Sequence, residues 1–331
     1  MSRIIRAENL TKVYKQKKRE TGIAGALKSL FVNDYTSKLA VDGVSFEINE
    51  GEIVGYIGTN GAGKSSTIKM LIGILLPSSG VVEVNGYSPF RDRKKLAKSI
   101  GVVFGQRSQL WWDLPIIETF QLLADIYGIR KEEYQETLNE LIDVLEIKDF
   151  LHVPVRTLSL GQRMRAELCA ALIHKPKILL LDEPTIGLDV VVKKRIQEFV
   201  LHINRKFNTT ILLTSHDLNY LEKLCKRVIL IDHGKVLFDG SVERMKDTLE
   251  ILSRIEVELE ESVTDINHYQ VEGVVKVYQD RNMLTFICTK KVNTVRLIEF
   301  ISKANKIIDI KIIEDSLEDI IGNVYENKSL L

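Results

Sequence analysis

Hydrophobic and polar residues follow two alternating patterns along the first two thirds of the chain. Short apolar runs rich in β-branched residues are separated by longer amphipathic segments, and residues 178–181 are apolar at every position. Continuous apolar runs of this length are typical of strands that are covered on both faces of a parallel sheet. The predicted strands are 44–48, 53–57, 81–84, 101–104, 178–181, 210–214, 228–231 and 235–238.

The segments between these strands have helical periodicity. In residues 131–146 large apolar residues recur every three or four positions, so one face of the predicted helix is apolar. Strands that alternate with helices favour an α/β domain built on a mainly parallel sheet. Asn85-Gly86 and His233-Gly234 are typical of tight hairpin turns, and they predict an additional antiparallel β layer.

The pattern changes after Gly240. Strands are predicted at 254–260, 271–278, 283–289 and 307–314, and helices at 292–304 and 316–325. These elements describe a small α+β domain without a recognisable catalytic motif. We therefore predict a main domain over residues 4–243 and a C-terminal accessory domain over residues 250–331. The accessory domain either regulates or stabilises a dimer, or it is a passive packing module.

Residues 15–38 form a basic insertion between two early strands. The insertion begins with Lys-Gln-Lys-Lys-Arg and continues as a weakly amphipathic segment. Such a segment is typical of a solvated surface helix, and the alternative is contact with lipid headgroups or with a membrane partner.

Composition excludes several classes of protein. The chain has 331 residues with 46 basic and 45 acidic side chains, so its net charge of +1 gives no reason to expect a nucleic-acid partner. Its three cysteines are widely spaced in apolar segments, which predicts reduced core residues in a cytosolic protein. No run approaches the roughly 18 apolar residues typical of a membrane span, so any spanning would fall to other chains.

The most informative motif follows the predicted strand 53–57. Residues 58–65 read Gly-Thr-Asn-Gly-Ala-Gly-Lys-Ser, which fits G-x-x-x-x-G-K-[ST]. The glycines let consecutive backbone N–H groups turn towards a phosphate, Lys64 adds a positive charge, and the Ser65 hydroxyl offers a ligand to Mg²⁺. A predicted helix, which begins near Lys64 and includes the helix-forming run 66–75, directs its positive end at the same anion. The sequence therefore predicts a nucleoside triphosphate site.

Two further motifs add chemistry to this site. Residues 177–184 read Lys-Ile-Leu-Leu-Leu-Asp-Glu-Pro, so a buried strand would deliver Asp182 to Mg²⁺, directly or through water. The adjacent Glu183 would act as general base or positioner for an attacking water, unless the pair is a solvated turn. Ser159 is a good N-cap for a helix over 162–171, which is either a second phosphate-binding helix end or an ordinary capped helix.

Together these motifs resemble the ATP-binding subunits of ABC transporters. Residues 58–65 match the Walker A motif, 179–183 the Walker B motif, 159–162 the LSGGQ signature, 187–189 the D-loop and 214–217 the switch-histidine segment. They occur in the family order across residues 4–243. Leu160 replaces the first signature glycine, which affects contact geometry more than function. Ser66 replaces a usual threonine and keeps the hydroxyl.

The resemblance implies a role for each matched residue. Glu183 would polarise the hydrolytic water, and His216 would contact the γ-phosphate. Ser65, Gln106 and Asp182 would arrange Mg²⁺ and its waters, and Tyr14 would stack on adenine. The implied ATP contacts are Tyr14, Gly58, Thr59, Asn60, Gly61, Ala62, Gly63, Lys64, Ser65, Ser66, Gln106, Ser159, Gly161, Gln162 and Asp189.

The resemblance also implies partners. In the family the signature helix of one subunit completes the ATP site of another, so we expect a homodimer, or a pair with a paralogous subunit, around two ATP molecules. Multi-span membrane permease subunits are expected to contact the chain near Trp111 and Trp112, although core packing of these tryptophans is the alternative. The protein would then lie peripherally at the cytoplasmic face of the cell membrane.

The early insertion, the adjacent tryptophans and the accessory domain are similar to ABC-2-type export ATPases, including those for daunorubicin and other drugs. A drug-like, antibiotic or lipid-like compound is the expected cargo. One alternative is a soluble ABC ATPase without a membrane partner, although the chain has neither a second ATP-binding domain nor coiled-coil or zinc segments. A non-catalytic regulatory module is disfavoured by the presence of Glu183 and His216.

Overall fold

The structure is a computed structural model, and it describes residues 2–17, 35–105, 107–215, 217–248, 253–263, 266–269, 271–289, 292–314 and 321. The chain divides into two units, Met1–Gly240 and Ser241–Leu331, which are described separately.

A six-stranded sheet forms the centre of the first unit, with the strand order β5-β6-β7-β3-β8-β9. Neighbouring strands from β5 to β8 pair in parallel, and β9 returns from β8 after the two-residue turn His233-Gly234. The strands are β3 (Ile53–Gly58), β5 (Ile100–Phe104), β6 (Ile178–Asp182), β7 (Thr210–Thr214), β8 (Arg227–Asp232) and β9 (Lys235–Ser241).

The apolar runs fold as parallel strands because both of their faces are covered. Leu180 of β6 and Leu212 of β7 are fully buried, and every residue of β7 is buried. Each of the eight strands predicted for this unit lies within an observed strand. The turn residues His233 and Gly234 both have positive φ, at 46° and 81°, which is the backbone of a tight two-residue hairpin.

A three-stranded antiparallel sheet, in the order β2-β1-β4, forms the predicted additional layer. Its strands are β1 (Arg3–Lys17), β2 (Tyr35–Asn49) and β4 (Ser79–Val84). The Phe46 ring of β2 lies 5.7 Å from the Tyr56 ring of β3, so the two sheets share one apolar core. The predicted surface helix over 15–38 is wrong at both ends, because residues 15–17 and 35–38 pair as strand. Its remainder, 18–34, lies outside the described residues.

Seven described helices surround the two sheets of this unit. Helix α1 is shorter than its predicted range of 66–75, because Gly73 adopts a φ of +73°. A side chain at Gly73 would collide with the Pro89 carbonyl oxygen, so the chain turns there. The helices are α1 (Lys64–Leu71), α2 (Arg93–Ala97), α3 (Ile116–Tyr127), α4 (Lys131–Leu145), α5 (Leu160–Leu172), α6 (Val190–Phe207) and α7 (Leu218–Leu224).

The second unit contains one antiparallel sheet, in the order β11-β12-β10-β13, and two described helices. The succession strand, 3-10 turn, strand, strand, helix, strand is that of a ferredoxin-like domain. Phe286, Leu297 and Ile301 belong to its buried core. The elements are α8 (Val242–Thr248), β10 (Ser253–Leu259), the 3-10 turn Ile266–Tyr269, β11 (Val274–Asp280), β12 (Met283–Cys288), α9 (Thr294–Ala304) and β13 (Ile307–Glu314).

The predicted elements of this unit are largely confirmed. Strand β11 starts three residues later than predicted, because Gly273 has a φ of +90° and the Val274 N–H bonds back to the Val271 carbonyl oxygen at 2.9 Å. The predicted helix over 316–325 lies outside the described residues except for Ile321. In the part of the chain that the structure describes, no helix combines the length and hydrophobicity needed to cross a bilayer. All three cysteines are buried and reduced, as predicted.

Candidate nucleotide-binding site

The loop between β3 and α1 has a backbone that requires its glycines. Gly61 and Gly63 have φ values of 85° and 110°, where other residues are strained. A Cβ at Gly63 would lie 2.5 Å from the Ala40 carbonyl oxygen, and one at Gly58 would lie 2.6 Å from the Ile231 carbonyl oxygen. The loop therefore folds as a glycine-dependent cradle at the N-terminus of α1, which fits an anionic phosphate.

Lys64 is held inside this cradle. Its side chain is 6% exposed, and its Nζ donates hydrogen bonds to the carbonyl oxygens of Gly58 at 2.6 Å and Thr59 at 3.2 Å. Burial lowers the pKa of Lys64, whereas the nearby carboxylates of Glu183 and Asp182 act in the opposite direction. The ammonium group is thus held by the loop carbonyl oxygens and is stabilised electrostatically by the two carboxylates.

A cavity of about 370 Å³ opens above the cradle. The Tyr14 hydroxyl lies 3.3 Å from the Ser66 Oγ at this cavity, which brings the predicted aromatic residue of β1 to the phosphate loop. Gly58 is not among the lining residues, and Ala62 is 2% exposed, so their predicted contacts could only be made by backbone or by packing. The lining residues are Tyr14, Lys38, Ala40, Thr59, Asn60, Gly61, Gly63, Lys64, Ser65, Ser66 and Glu183.

Asp182 and Glu183 stand at the carboxyl end of β6, beside Thr214 at the end of β7. The Thr214 hydroxyl donates to Asp182 Oδ1 at 2.7 Å and accepts the Glu183 backbone N–H at 3.0 Å. One side chain on the neighbouring strand therefore orients both acidic residues. In the parallel register Asp182 is paired with Thr214, which makes this bridge a direct product of strand pairing.

Glu183 has a left-handed backbone with a φ of 56°, which is uncommon for a residue with a Cβ. A side chain at Gly105 would collide with the Glu183 carbonyl oxygen, so the chain after β5 packs directly against this strained residue. Strain of this kind costs about 1–3 kcal/mol and is concentrated at active sites and ligand clamps. The conformation places Glu183 on the lining of the first cavity.

Glu183 and Ser65 also line a second cavity of about 270 Å³. Ser65 and Asp182 meet there, and their hydroxyl and carboxylate oxygens are the ligand types that Mg²⁺ prefers. The donor set therefore fits the predicted metal. The lining residues are Ser65, Lys69, Ile74, Phe104, Gly105, Arg107, Asp182 and Glu183.

The signature segment forms a well-capped helix end. Ser159 Oγ accepts the Gln162 backbone N–H at 3.2 Å, and Gln162 Oε1 accepts the Ser159 N–H at 2.9 Å, which completes a capping box. The side chain of Gln162 is thus engaged within its own helix. Leu160 is the first residue of α5 and has helical backbone, so the glycine-to-leucine replacement is accommodated.

The signature segment packs against the predicted D-loop. A Cβ at Gly187 would lie 3.0 Å from Leu160, and one at Gly161 would lie 3.1 Å from Val192. Asp189 caps α6 by accepting the Val192 N–H at 2.9 Å. Among the described residues that line the two cavities, none comes from the segment 159–162. The structure therefore unites signature and D-loop on one surface, away from the phosphate cradle of the same chain.

Two predicted site residues, Gln106 and His216, lie outside the described residues. Sequence reasoning missed several residues that the structure brings to the site, including Thr214, Lys69 and Arg107. The Thr214 hydroxyl was detectable in principle, because Thr214 ends the strand predicted before His216. Lys69 and Arg107 add positive charge to the second cavity and carry no motif signal.

Comparisons with known proteins identify the family. Residues 41–186 match the family model described as ABC transporter. The bacitracin transport ATP-binding protein BcrA of Bacillus licheniformis is 31% identical over 294 residues, which cover 86% of this chain and 92% of BcrA. The chain belongs to the ABC transporter ATP-binding proteins. The predicted family is therefore confirmed.

This ABC ATPase is also similar to an import protein and to a solved cassette. The methionine import ATP-binding protein MetN 2 of Listeria monocytogenes is 38% identical over 219 residues, covering 64% of each chain. A solved dimeric ATP-binding cassette in a post-hydrolysis state, bound to ADP and Pi, has a TM-score of 0.60 and 26% identity, with 72% of this chain and 99% of that chain covered. The predicted fold class and ATPase activity are confirmed, whereas the export subgroup is not.

Because the Thr214 hydroxyl bonds to both Asp182 and the Glu183 backbone, we expect its removal to lower the rate of ATP hydrolysis. Thr214→Val keeps the side-chain shape but removes the hydrogen bond to Asp182 Oδ1, and it leaves the Glu183 N–H with its backbone bond to the Thr214 carbonyl oxygen at 3.1 Å. We expect ATP turnover to fall by about 10–100-fold, as for other supports of metal-binding carboxylates, with the fold retained. Steady-state ATPase kinetics with circular dichroism would measure both effects.

Thr210→Val is the matched control, because Thr210 lies at the other end of β7 and its hydroxyl accepts the Gly51 N–H at 2.9 Å. This control should affect stability alone. Equal turnover in the two variants would contradict the assigned role of Thr214.

Proposed function

We propose that this chain is the ATP-hydrolysing subunit of an ABC-2-type exporter, acting as a head-to-tail dimer around two ATP molecules. The observation that carries the proposal is the convergence of Lys64, Ser65, Asp182 and Glu183 around two adjoining cavities. The chain would lie peripherally at the cytoplasmic face of the membrane, since its membrane partners are other subunits.

Within one subunit, the phosphate cradle and Lys64 would hold the β- and γ-phosphates, and Tyr14 would contact the adenine. Ser65 and Asp182 would hold Mg²⁺, which when bound would neutralise phosphate charge. The Thr214 hydroxyl orients Asp182 through its hydrogen bond to Oδ1, and Glu183 would accept a hydrogen bond from the attacking water. Gln106 and His216 complete this set in the proposal by their positions in the sequence.

The exposed signature supports pairing with a second copy. The N-terminus of α5 presents its positive end and the Ser159 side chain at a surface that no described residue of the two cavities shares. Leu160, Val190 and Val191 make this surface apolar, and Val190 is 82% exposed. A second subunit would bury these side chains and bring each signature to the phosphates of its partner. The related post-hydrolysis cassette, which is dimeric, supports this arrangement.

Trp111 and Trp112 are suited to contact a permease. Both side chains are exposed, at 41% and 52%, which disfavours the core-packing alternative. Their backbone is fixed, since the Trp111 N–H donates to Thr119 Oγ1 at 3.4 Å and the Trp112 carbonyl oxygen accepts the Arg156 N–H at 3.0 Å. Large aromatic side chains on a fixed backbone are typical anchors of protein interfaces.

The export direction and the cargo rest on the relatives. The similarity to BcrA extends over 86% of this chain, well beyond residues 1–240, whereas that to MetN 2 covers 64%. This difference favours an antibiotic-like cargo and export. Import is the second candidate, because MetN 2 is more identical to this chain over the region that it shares.

Head-to-tail pairing predicts that two inactive variants restore activity when mixed. Lys64→Ala removes the phosphate contact, and Gly161→Asp places a negative charge at the signature. A mixed dimer contains one site with both defects and one intact site, so random pairing should give about a quarter of wild-type turnover. Colorimetric phosphate release from the mixture and from each variant alone would measure this. A mixture as inactive as its components would contradict the shared site.

The proposed permease contact predicts that binding to membrane subunits can be lost without loss of ATP turnover. Trp111→Ala with Trp112→Ala should leave the turnover of the isolated chain unchanged, while abolishing co-purification with multi-span membrane subunits from detergent extracts. Phe90→Ala is a control, because Phe90 is also aromatic and 50% exposed. Retention of the membrane subunits by the tryptophan variant would contradict the anchor.

If the transporter exports its cargo, loss of ATP hydrolysis should make cells more sensitive to that cargo. Cells carrying Lys64→Ala should become more sensitive to cargo-like peptide antibiotics, with bacitracin as the first probe, because the compound would no longer be expelled. Lys131→Ala, at the exposed start of α4, is the control. Minimum inhibitory concentrations would be measured across a panel of such compounds, and a lower sensitivity in the Lys64→Ala cells would favour import.

A further inference from the structure

One carboxylate of the signature helix is buried and bonded to a loop instead of to the nucleotide site. Glu167 of α5 is 4% exposed. Its carboxylate accepts a hydrogen bond from the Ser108 hydroxyl, and the Gln109 N–H lies 3.2 Å from both carboxylate oxygens. The Gln109 side-chain amide also donates to the Glu167 carbonyl oxygen at 3.2 Å. The loop 108–110 is therefore bound to α5 through one residue.

This loop leads directly into the two exposed tryptophans. The Leu110 N–H donates to Ser108 Oγ at 3.1 Å, and the Leu110 side chain is 6% exposed, so the loop is fixed as far as Trp111. Beyond the tryptophans, the Arg156 N–H bonds to the Trp112 carbonyl oxygen. The tryptophan segment is thus held on one side by α5 and on the other by the chain that leads into the signature.

Burying a carboxylate is costly unless its hydrogen bonds are made. Burial raises the pKa of Glu167, while the bonds from Ser108 and Gln109 act in the opposite direction. An apolar side chain would fill the same space without this cost, so the site is built to hold the loop specifically. Removal of one partner would leave a buried charge or donor unpaired.

Glu167 lies close enough to the signature end of α5 for movement of that end to reach the loop 108–110. Seven residues separate Glu167 from Leu160, which is about two helical turns or 10 Å along a continuous helix. A displacement of the signature end therefore reaches Glu167 and the loop with little loss, because a helix moves as a rigid element.

We propose that Glu167 is a positioning residue that joins the signature helix to the tryptophan segment, so that closure of the dimer on ATP moves the permease contact. The proposal rests on the proposed head-to-tail dimer and adds to it the residue through which the movement is passed on. Glu167 touches neither cavity, so it acts on coupling and not on nucleotide binding.

The chain supplies its own probe for this movement, because Trp111 and Trp112 are its only tryptophans. In the full-length chain, a non-hydrolysable ATP analogue with Mg²⁺ should change the tryptophan emission. Glu167→Ala and Ser108→Ala should each lose most of this change while calorimetry shows unchanged affinity for the analogue. The double variant should lose no more than Glu167→Ala alone, since that variant already removes the Ser108 bond together with the Gln109 N–H bonds.

Glu136→Ala is the matched control, because Glu136 is an exposed glutamate on the neighbouring helix α4. It should keep the full emission change. Ser108→Ala keeps the test decisive if Glu167→Ala fails to fold, because Ser108 is exposed.

Two outcomes would overturn the positioning role: an emission that the analogue leaves unchanged in the wild type, or a full emission change in Ser108→Ala. A chain that binds no nucleotide in calorimetry would instead contradict the proposed function itself.

Discussion

The parallel pairing of β6, β7 and β3 is the constraint on which the site depends. Strand β7 lies between the strand that ends in the acidic pair and the strand that leads into the phosphate cradle. Because parallel strands point the same way, their carboxyl ends meet at one edge of the sheet, where ligands of open α/β folds bind. A shift of one residue in this register would turn Thr214 away from Asp182.

The strands of this sheet could be predicted because burial on both faces leaves a direct mark on the sequence. Residues 178–181 are apolar throughout, as expected for a short strand that is covered on both faces. The phosphate loop was equally predictable, since Gly61 and Gly63 are required by backbone angles that only glycine adopts without strain. Both features depend on residues that are adjacent in the chain, so they can be predicted from a single sequence.

Features that depend on contacts between residues far apart in the chain were harder to predict from the sequence. The length of β1 and β2 depends on pairing across a 17-residue connection, 18–34, and polar residues such as Lys15 carry little strand signal. The end of α1 depends on the approach of Pro89 from a later part of the chain. The Thr214 bridge and the Glu167 bonds likewise join residues that are 32 and 59 positions apart. The predicted roles of Gln106 and His216 stay predictions.

The left-handed backbone of Glu183 sets the stability of the fold against the proposed role of this residue. Folding alone would favour glycine there, because glycine adopts a φ of 56° without cost. The proposed mechanism requires a carboxylate at the same position, so stability and turnover would be in opposition at a single residue. In the proposed mechanism, Glu183→Gly would relieve a backbone strain of about 1–3 kcal/mol and would remove the carboxylate that positions water, so a single substitution would exchange turnover for stability.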